Sequence, residues 1–124
     1  MSKRILIVDD NVLIRELIRL FIERRPEFEV CGEASDGVEG IERGRELKPD
    51  LIVLDFLMPR ANGLQTAARL QEVVPNTPII LLTLHKEAIP IPVARAAGVA
   101  SVLSKTDQLP VLADEIKRLT GWIS

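Results

Sequence analysis

The sequence predicts an α/β fold with a doubly wound parallel sheet, and three observations predict it. The runs Ile5-Leu-Ile-Val8, Leu51-Ile-Val-Leu54 and Ile79-Ile-Leu-Leu82 are apolar without alternation, the pattern of strands covered on both faces. Segments with helical apolar spacing separate them through short connections. Polar groups then end four of the five strands: Asp9-Asp10, Asp55, Thr83 and Lys105.

In chain order, Lys3 to Val8 is the first strand. Val12 to Arg24 follows as a helix, with Leu13, Leu17, Leu20 and Phe21 at helical spacing and Pro26 closing it. Phe28 to Ala34 alternates less cleanly and reads as an edge strand. Asp36-Gly37 is a turn in which Asp36 caps a helix through about Leu47, weakened by interior Gly40 and Gly44. Pro49-Asp50 leads into Leu51 to Asp55, the strand on which the chain is organised, and Pro59 and Gly63 mark the loop beyond it. Leu64 to Val74 is helical and stops before Pro75.

Pro78 to Thr83 is the fourth strand. Its following helix is interrupted by Pro90 and Pro92, each lacking the amide hydrogen a helix interior needs, at a cost of about 3 kcal/mol. The spacing predicts Ile89 and Ile91 extended, a helix from Pro92 only to about Ala97, and Leu84 to Ile91 as a long mobile loop. Gly98 ends that helix. Val99 to Ser104 is a short strand finishing at Lys105. Asp107 caps a last helix that tolerates Pro110 in its first turn and turns Leu112, Ile116 and Leu119 inward. Trp122 anchors that helix by its apolar area. The whole of 1–124 reads as one domain.

Composition narrows the function classes. At 124 residues and 47% apolar content, the chain can bury roughly two-thirds of its unfolded surface in one core. A net charge of −2 and no Lys/Arg block argue against a direct nucleic-acid surface. A lone cysteine, Cys31, has no internal disulfide partner, fits a reducing compartment, and reads as a small hydrophobe on a strand. Only four apolar residues separate the charged start from Asp9, too few for a signal peptide or a membrane span. A cytoplasmic location is expected.

In a parallel sheet all strand ends lie on one edge, where open α/β sheets bind ligands. Asp9, Asp10 and Asp55 would meet there, and three unpaired carboxylates repel one another. A hard divalent cation with oxygen ligands resolves this, and a partly hydrated site suits Mg²⁺. Lys105 adds an ammonium and Thr83 a hydroxyl, which together make a cradle for a phosphoryl group. A solvated rim of charges is the bland reading, which four complementary strand ends disfavour.

These residues, together with Met58-Pro59 and Gly63, give the chain its resemblance to receiver domains of bacterial two-component response regulators. The likeness covers essentially the whole chain, and Asp55 to Gly63 and Pro78 to His85 look most like receivers attached to LuxR-type helix-turn-helix domains. The resemblance implies a flavodoxin-like three-layer fold with strand order 2-1-3-4-5. It makes Asp55 the nucleophile that takes a phosphoryl group from a histidine kinase or phosphotransfer protein. It implies Mg²⁺ held by Asp10 directly, Asp9 mainly through water, Asp55, and the backbone carbonyl of Leu57. Thr83 and Lys105 would bind phosphoryl oxygens and report to an output domain or downstream protein. Such a module promotes its own phosphorylation and dephosphorylation without a separate substrate, and the family allows homodimer formation on phosphorylation.

Departures from the family pattern are visible too. Thr106 stands where a proline usually follows the lysine, and Val102 stands where the family has its switch aromatic. The chemistry is expected intact, while the signal's exit differs. A phosphorylation-independent interaction module that keeps the acidic pocket is the alternative. A phosphohydrolase is weaker, because Leu57 stands where an acid would protonate the leaving group. Flavin binding is weaker still, because Asp9 to Asn11 is acidic where a phosphate cradle needs Gly, Ser or Thr. His85, the only histidine, reads as an exposed loop residue, with steering of a hydrolytic water as its functional alternative. Met58 packs in its loop.

Overall fold

A computed structural model describes residues 2–58, 61–107 and 109–121. The elements run β1 (Lys3–Val8), α1 (Val12–Glu23), β2 (Phe28–Ala34), α2 (Gly37–Leu47), β3 (Leu51–Asp55), α3 (Gly63–Val73), β4 (Ile79–Thr83), α4 (Ile91–Ala96), β5 (Ser101–Ser104) and α5 (Leu109–Thr120). The strands form one parallel sheet in the order 2-1-3-4-5, as expected. β2 is an edge strand, and its pairing with β1 slips by one residue after Ile5, leaving Cys31 without a partner across the ladder.

Alternate residues of the central strands feed two separate cores. Leu6, Val8, Ile52, Leu54, Ile79 and Leu81 point to one face, where Ala67, Leu70, Ile89 and Ala94 cover them. Ile5, Ile7, Leu51, Val53, Ile80 and Leu82 point to the other, under Ile18, Ile22, Leu112, Ala113 and Ile116. The apolar strand runs thus follow from helices on both faces. Within α2, a Cβ on Gly40 would stand 2.9 Å from Val8 Cγ1, and one on Gly44 would stand 2.9 Å from Leu70 Cδ2. These glycines, expected only to weaken the helix, let α2 sit close against β1 and α3.

Three expectations are corrected. Leu13, Leu17 and Leu20 lie on the exposed side of α1, while Ile18 and Ile22 are its buried residues. Ile91 is not extended: it is the first residue of α4, with Pro92 second and Pro90 the extended residue before the helix. Pro92 is tolerated there because in the first turn its missing N–H would have no intrahelical acceptor and its ring meets no preceding helical turn. Leu84 to Ile91 is not a continuous loop, since Lys86–Ala88 forms a 3₁₀ turn.

Ile89 is extended as expected, and Gly98 turns the chain after α4 with φ of 87°. α4 has six residues, the shortened fourth helix the prolines predict. Asp107, read as the cap of α5, has a carboxylate oxygen that accepts the N–H of Ser104 at 3.0 Å. The roles read for Pro59 and Trp122 lie outside the described residues. Among the described residues, no helix is long and apolar enough to cross a membrane.

Candidate functional site

The register of the sheet assembles the site. Val8 lies opposite Leu54, so the next residues, Asp9 and Asp55, leave adjacent strands side by side. Asp55 pairs with Leu82, and Thr83 follows. Thr83 in turn faces Ser104, and the Lys105 N–H donates to the Thr83 carbonyl at 2.8 Å. Four strand ends thereby reach one edge, at the usual interstrand spacing of about 4.8 Å. This edge is also where strand order reverses, between β1 and β3.

Lys105 Nζ lies 2.8 Å from Asp55 Oδ1 and 3.5 Å from Asp9 Oδ2. Asp9, Asp10 and Asp55 each offer a carboxylate oxygen, all within 4.8 Å of one another. Asp9 and Asp55 are buried, whereas Asp10 is exposed. Asp9 Oδ1 accepts the Asn11 N–H at 2.8 Å, and the Asn11 side chain caps α1 by accepting from Leu13 and Ile14. Asp9 Oδ2 receives no hydrogen bond among the described residues. The Thr83 hydroxyl accepts the His85 N–H at 3.2 Å, which leaves its own hydrogen available to a ligand.

Burial pushes the Asp55 carboxyl up to about 6, and the charges of Asp9 and Asp10 add to this. The hydrogen bond from Lys105 and its charge pull the other way without cancelling the desolvation. For Lys105 the balance is reversed. Burial alone would lower it, but the hydrogen bond to Asp55 and the charges of Asp9 and Asp55 raise it overall. The ammonium therefore stays charged throughout the physiological range.

The donor set fits a hard divalent cation. Three carboxylates converge, two of them buried, and the buried Asp9 Oδ2 meets only the Lys105 ammonium at a long 3.5 Å. Burying carboxylates with one shared ammonium between them is costly, and a divalent cation beside them would offset the cost. Beside the acids, a cleft of about 30 Å³ is lined by Asp55, Phe56, Leu57, Thr83, Leu84 and Lys105. The Leu57 side chain is exposed at its rim. A Cβ on Gly63 would stand 2.8 Å from the Asp55 carbonyl oxygen and from Phe56 Cα, so only glycine lets α3 begin so close to the site.

All five polar residues read from the strand ends therefore come together. His85 is exposed next to the site, and Met58 packs against the core. Two supporting residues, Asn11 and Arg15, carry no signal in the apolar pattern. Arg15 Nη1 donates to the Asp9 carbonyl at 2.6 Å, a contact that only the folded turn reveals.

Comparison with known proteins gives a consistent result. The family model described as "Response regulator receiver domain" matches residues 5–117. The transcriptional regulatory protein LiaR of Bacillus subtilis is 34% identical over 114 residues, covering 92% of this chain and 54% of that protein. The chain spans about half the length of the curated relatives it matches. A LuxR-family two-component response regulator from Aurantimonas sp. superposes with a TM-score of 0.91 at 29% identity, over 98% of this chain and 86% of that one. The response regulator domain of Thermotoga maritima CheB superposes with a TM-score of 0.89 at 28% identity, over the full length of both chains.

Proposed function

The chain belongs to the response regulator receiver domains of two-component systems, and from that premise we propose that it is a Mg²⁺-dependent phosphoacceptor acting through Asp55. The observation that carries this reading is the burial of Asp55 at the end of β3, 2.8 Å from Lys105 and beside Asp9 and Asp10. An Asp55 carboxylate oxygen attacks the phosphorus of a phosphohistidine, the P–N bond breaks as the O–P bond forms, and the imidazole leaves and takes up a proton. With its carboxyl held near 6, Asp55 is mostly ionised at pH 7 and available as the nucleophile.

Asp10, Asp9, Asp55 and the Leu57 carbonyl would hold the metal. Bound Mg²⁺ would supply positive charge to the transferring phosphoryl oxygens. Lys105 and the Thr83 hydroxyl supply the remaining donors, so transfer depends on positioning and charge neutralisation and needs no added base. Residues 1–124 would act as one receiver unit. Its phosphodonor would be a histidine kinase or phosphotransfer protein in the cytoplasm, and its output an attached domain or separate partner, with homodimer formation a further consequence of phosphorylation.

Incubation with acetyl phosphate and Mg²⁺, followed by intact-mass measurement, tests this. One base-labile phosphoryl group is expected on the wild-type chain and none on Asp55→Ala. Full labelling of that variant, or no labelling of the wild type, would overturn the reading.

A further inference from the structure

We propose that Arg15 is a positioning residue for the metal site, setting the turn that presents Asp9 and Asp10. This rests on the Mg²⁺ reading above and adds a residue to it. Arg15 lies on α1, outside the acidic cluster. Its guanidinium spans two partners in a fixed fork: Nη1 donates to the backbone carbonyl of Asp9 at 2.6 Å, and Nε donates to Glu33 Oε1 on β2 at 2.9 Å. The Arg15 side chain is only 17% exposed.

The Asp9 carbonyl belongs to the peptide that joins Asp9 to Asp10. Fixing its direction fixes how the following residue leaves the strand. From the other side, the Asp9 N–H donates to the Ala34 carbonyl at 3.0 Å, and Asp9 Oδ1 accepts the Asn11 N–H. Arg15 supplies the remaining constraint on a segment whose second acid, Asp10, is exposed and has only this short turn to aim it. Glu33 keeps the guanidinium oriented, and is itself held by Arg19 Nε at 3.3 Å. The chain of contacts thus runs from α1 and edge strand β2 into the turn that carries the acids. Residues that orient metal ligands typically change metal affinity about 10- to 100-fold when removed.

The sign of the effect separates positioning from charge. Arg15 is a cation near a cation site, so by Coulomb's law alone its removal would tighten Mg²⁺ binding. Positioning predicts the opposite. Calorimetric titration with Mg²⁺ alone would compare the full chain with Arg15→Met, which keeps the aliphatic stem, and Arg15→Lys, which keeps the charge. Arg15→Met is expected to bind Mg²⁺ about tenfold more weakly. Arg15→Lys cannot reproduce the planar two-point fork and is expected to recover only part of the loss.

A merely structural role would lower the Tm of the metal-free variants and leave Mg²⁺ affinity unmoved. Equal or tighter binding by Arg15→Met overturns the proposal, as does full recovery in Arg15→Lys. Should Arg15→Met not fold, Arg15→Lys decides alone, because with charge unchanged only geometry remains to weaken binding. Absence of Mg²⁺ binding by the wild type would instead overturn the metal reading itself.

Discussion

The centre of the sheet and its β5 edge differ in how tightly they are built. β3 is buried along its whole length and β1 from Ile5 to Val8, and the cleft beside their acids holds about 30 Å³. Across the sheet, β5 has no fully buried residue, and α4 buries only Ala94. An open cleft of about 730 Å³ lies there, lined by residues that include Ile89, Val102, Glu115 and Arg118. The difference teaches a division of labour. Carboxylates that must be held together against their own repulsion sit where packing is dense. The lightly buried elements are those whose rearrangement would lose the least burial.

The comparison can be broken most directly by truncation. Ile52→Ala, in the middle of β3, is expected to cost about 2–5 kcal/mol by denaturant unfolding, while Val93→Ala on α4 should cost less than about 0.5 kcal/mol. Similar losses at both positions would erase the distinction.

A second effect, of up to about 3 kcal/mol, comes from Asp55. Its carboxyl titrates near 6 in the folded protein against an ordinary value of 3.8. The folded state therefore holds that proton more tightly than the unfolded state. The stabilisation is full below about pH 4 and is lost as pH rises through about 6. Asp55→Asn should remove this slope from the metal-free protein and raise its Tm at pH 7, a shift that thermal scans at several pH values would detect.

The remaining two predictions sharpen the comparison. Asp10→Ala should weaken Mg²⁺ binding by about tenfold or more, since one ligand and one charge are lost. Unchanged calorimetric affinity would detach Asp10 from the site. The smallest effect lies on the looser side. Binding of a phosphoryl mimic at Asp55 should slow amide exchange in Leu84 to Ile91, where Thr83 and His85 connect the site to the 3₁₀ turn. Equal protection with and without the mimic would remove this segment from the signal path.

The central strands were legible because burial on both faces leaves few polar positions to blur them, as in Leu51–Asp55, and Lys3–Val8 and edge strand Phe28–Ala34 also appear with the boundaries read from sequence. The site followed from their polar ends. Helix α1 was harder, because Leu13, Leu17 and Leu20 form an apolar stripe as regular as that of Ile14, Ile18 and Ile22. Periodicity cannot choose between two such stripes; only the sheet beneath does, and it takes the second. Ile91 was misread because the proline rule applies less strictly in a first turn. Arg15 was missed because its partner is a backbone carbonyl, which every residue type offers.

The unpaired Cys31 in β2 has a consequence for the molecule's behaviour in company. An edge strand displays a row of free N–H and C=O groups on which another chain can add a strand. The slip after Ile5 places one extra residue in β2, which bends the strand and interrupts the even spacing such an addition requires. At the opposite edge, β5 is only four residues long. A second copy arriving at either border would meet a short or irregular ladder, which disfavours strand addition at both edges of the sheet.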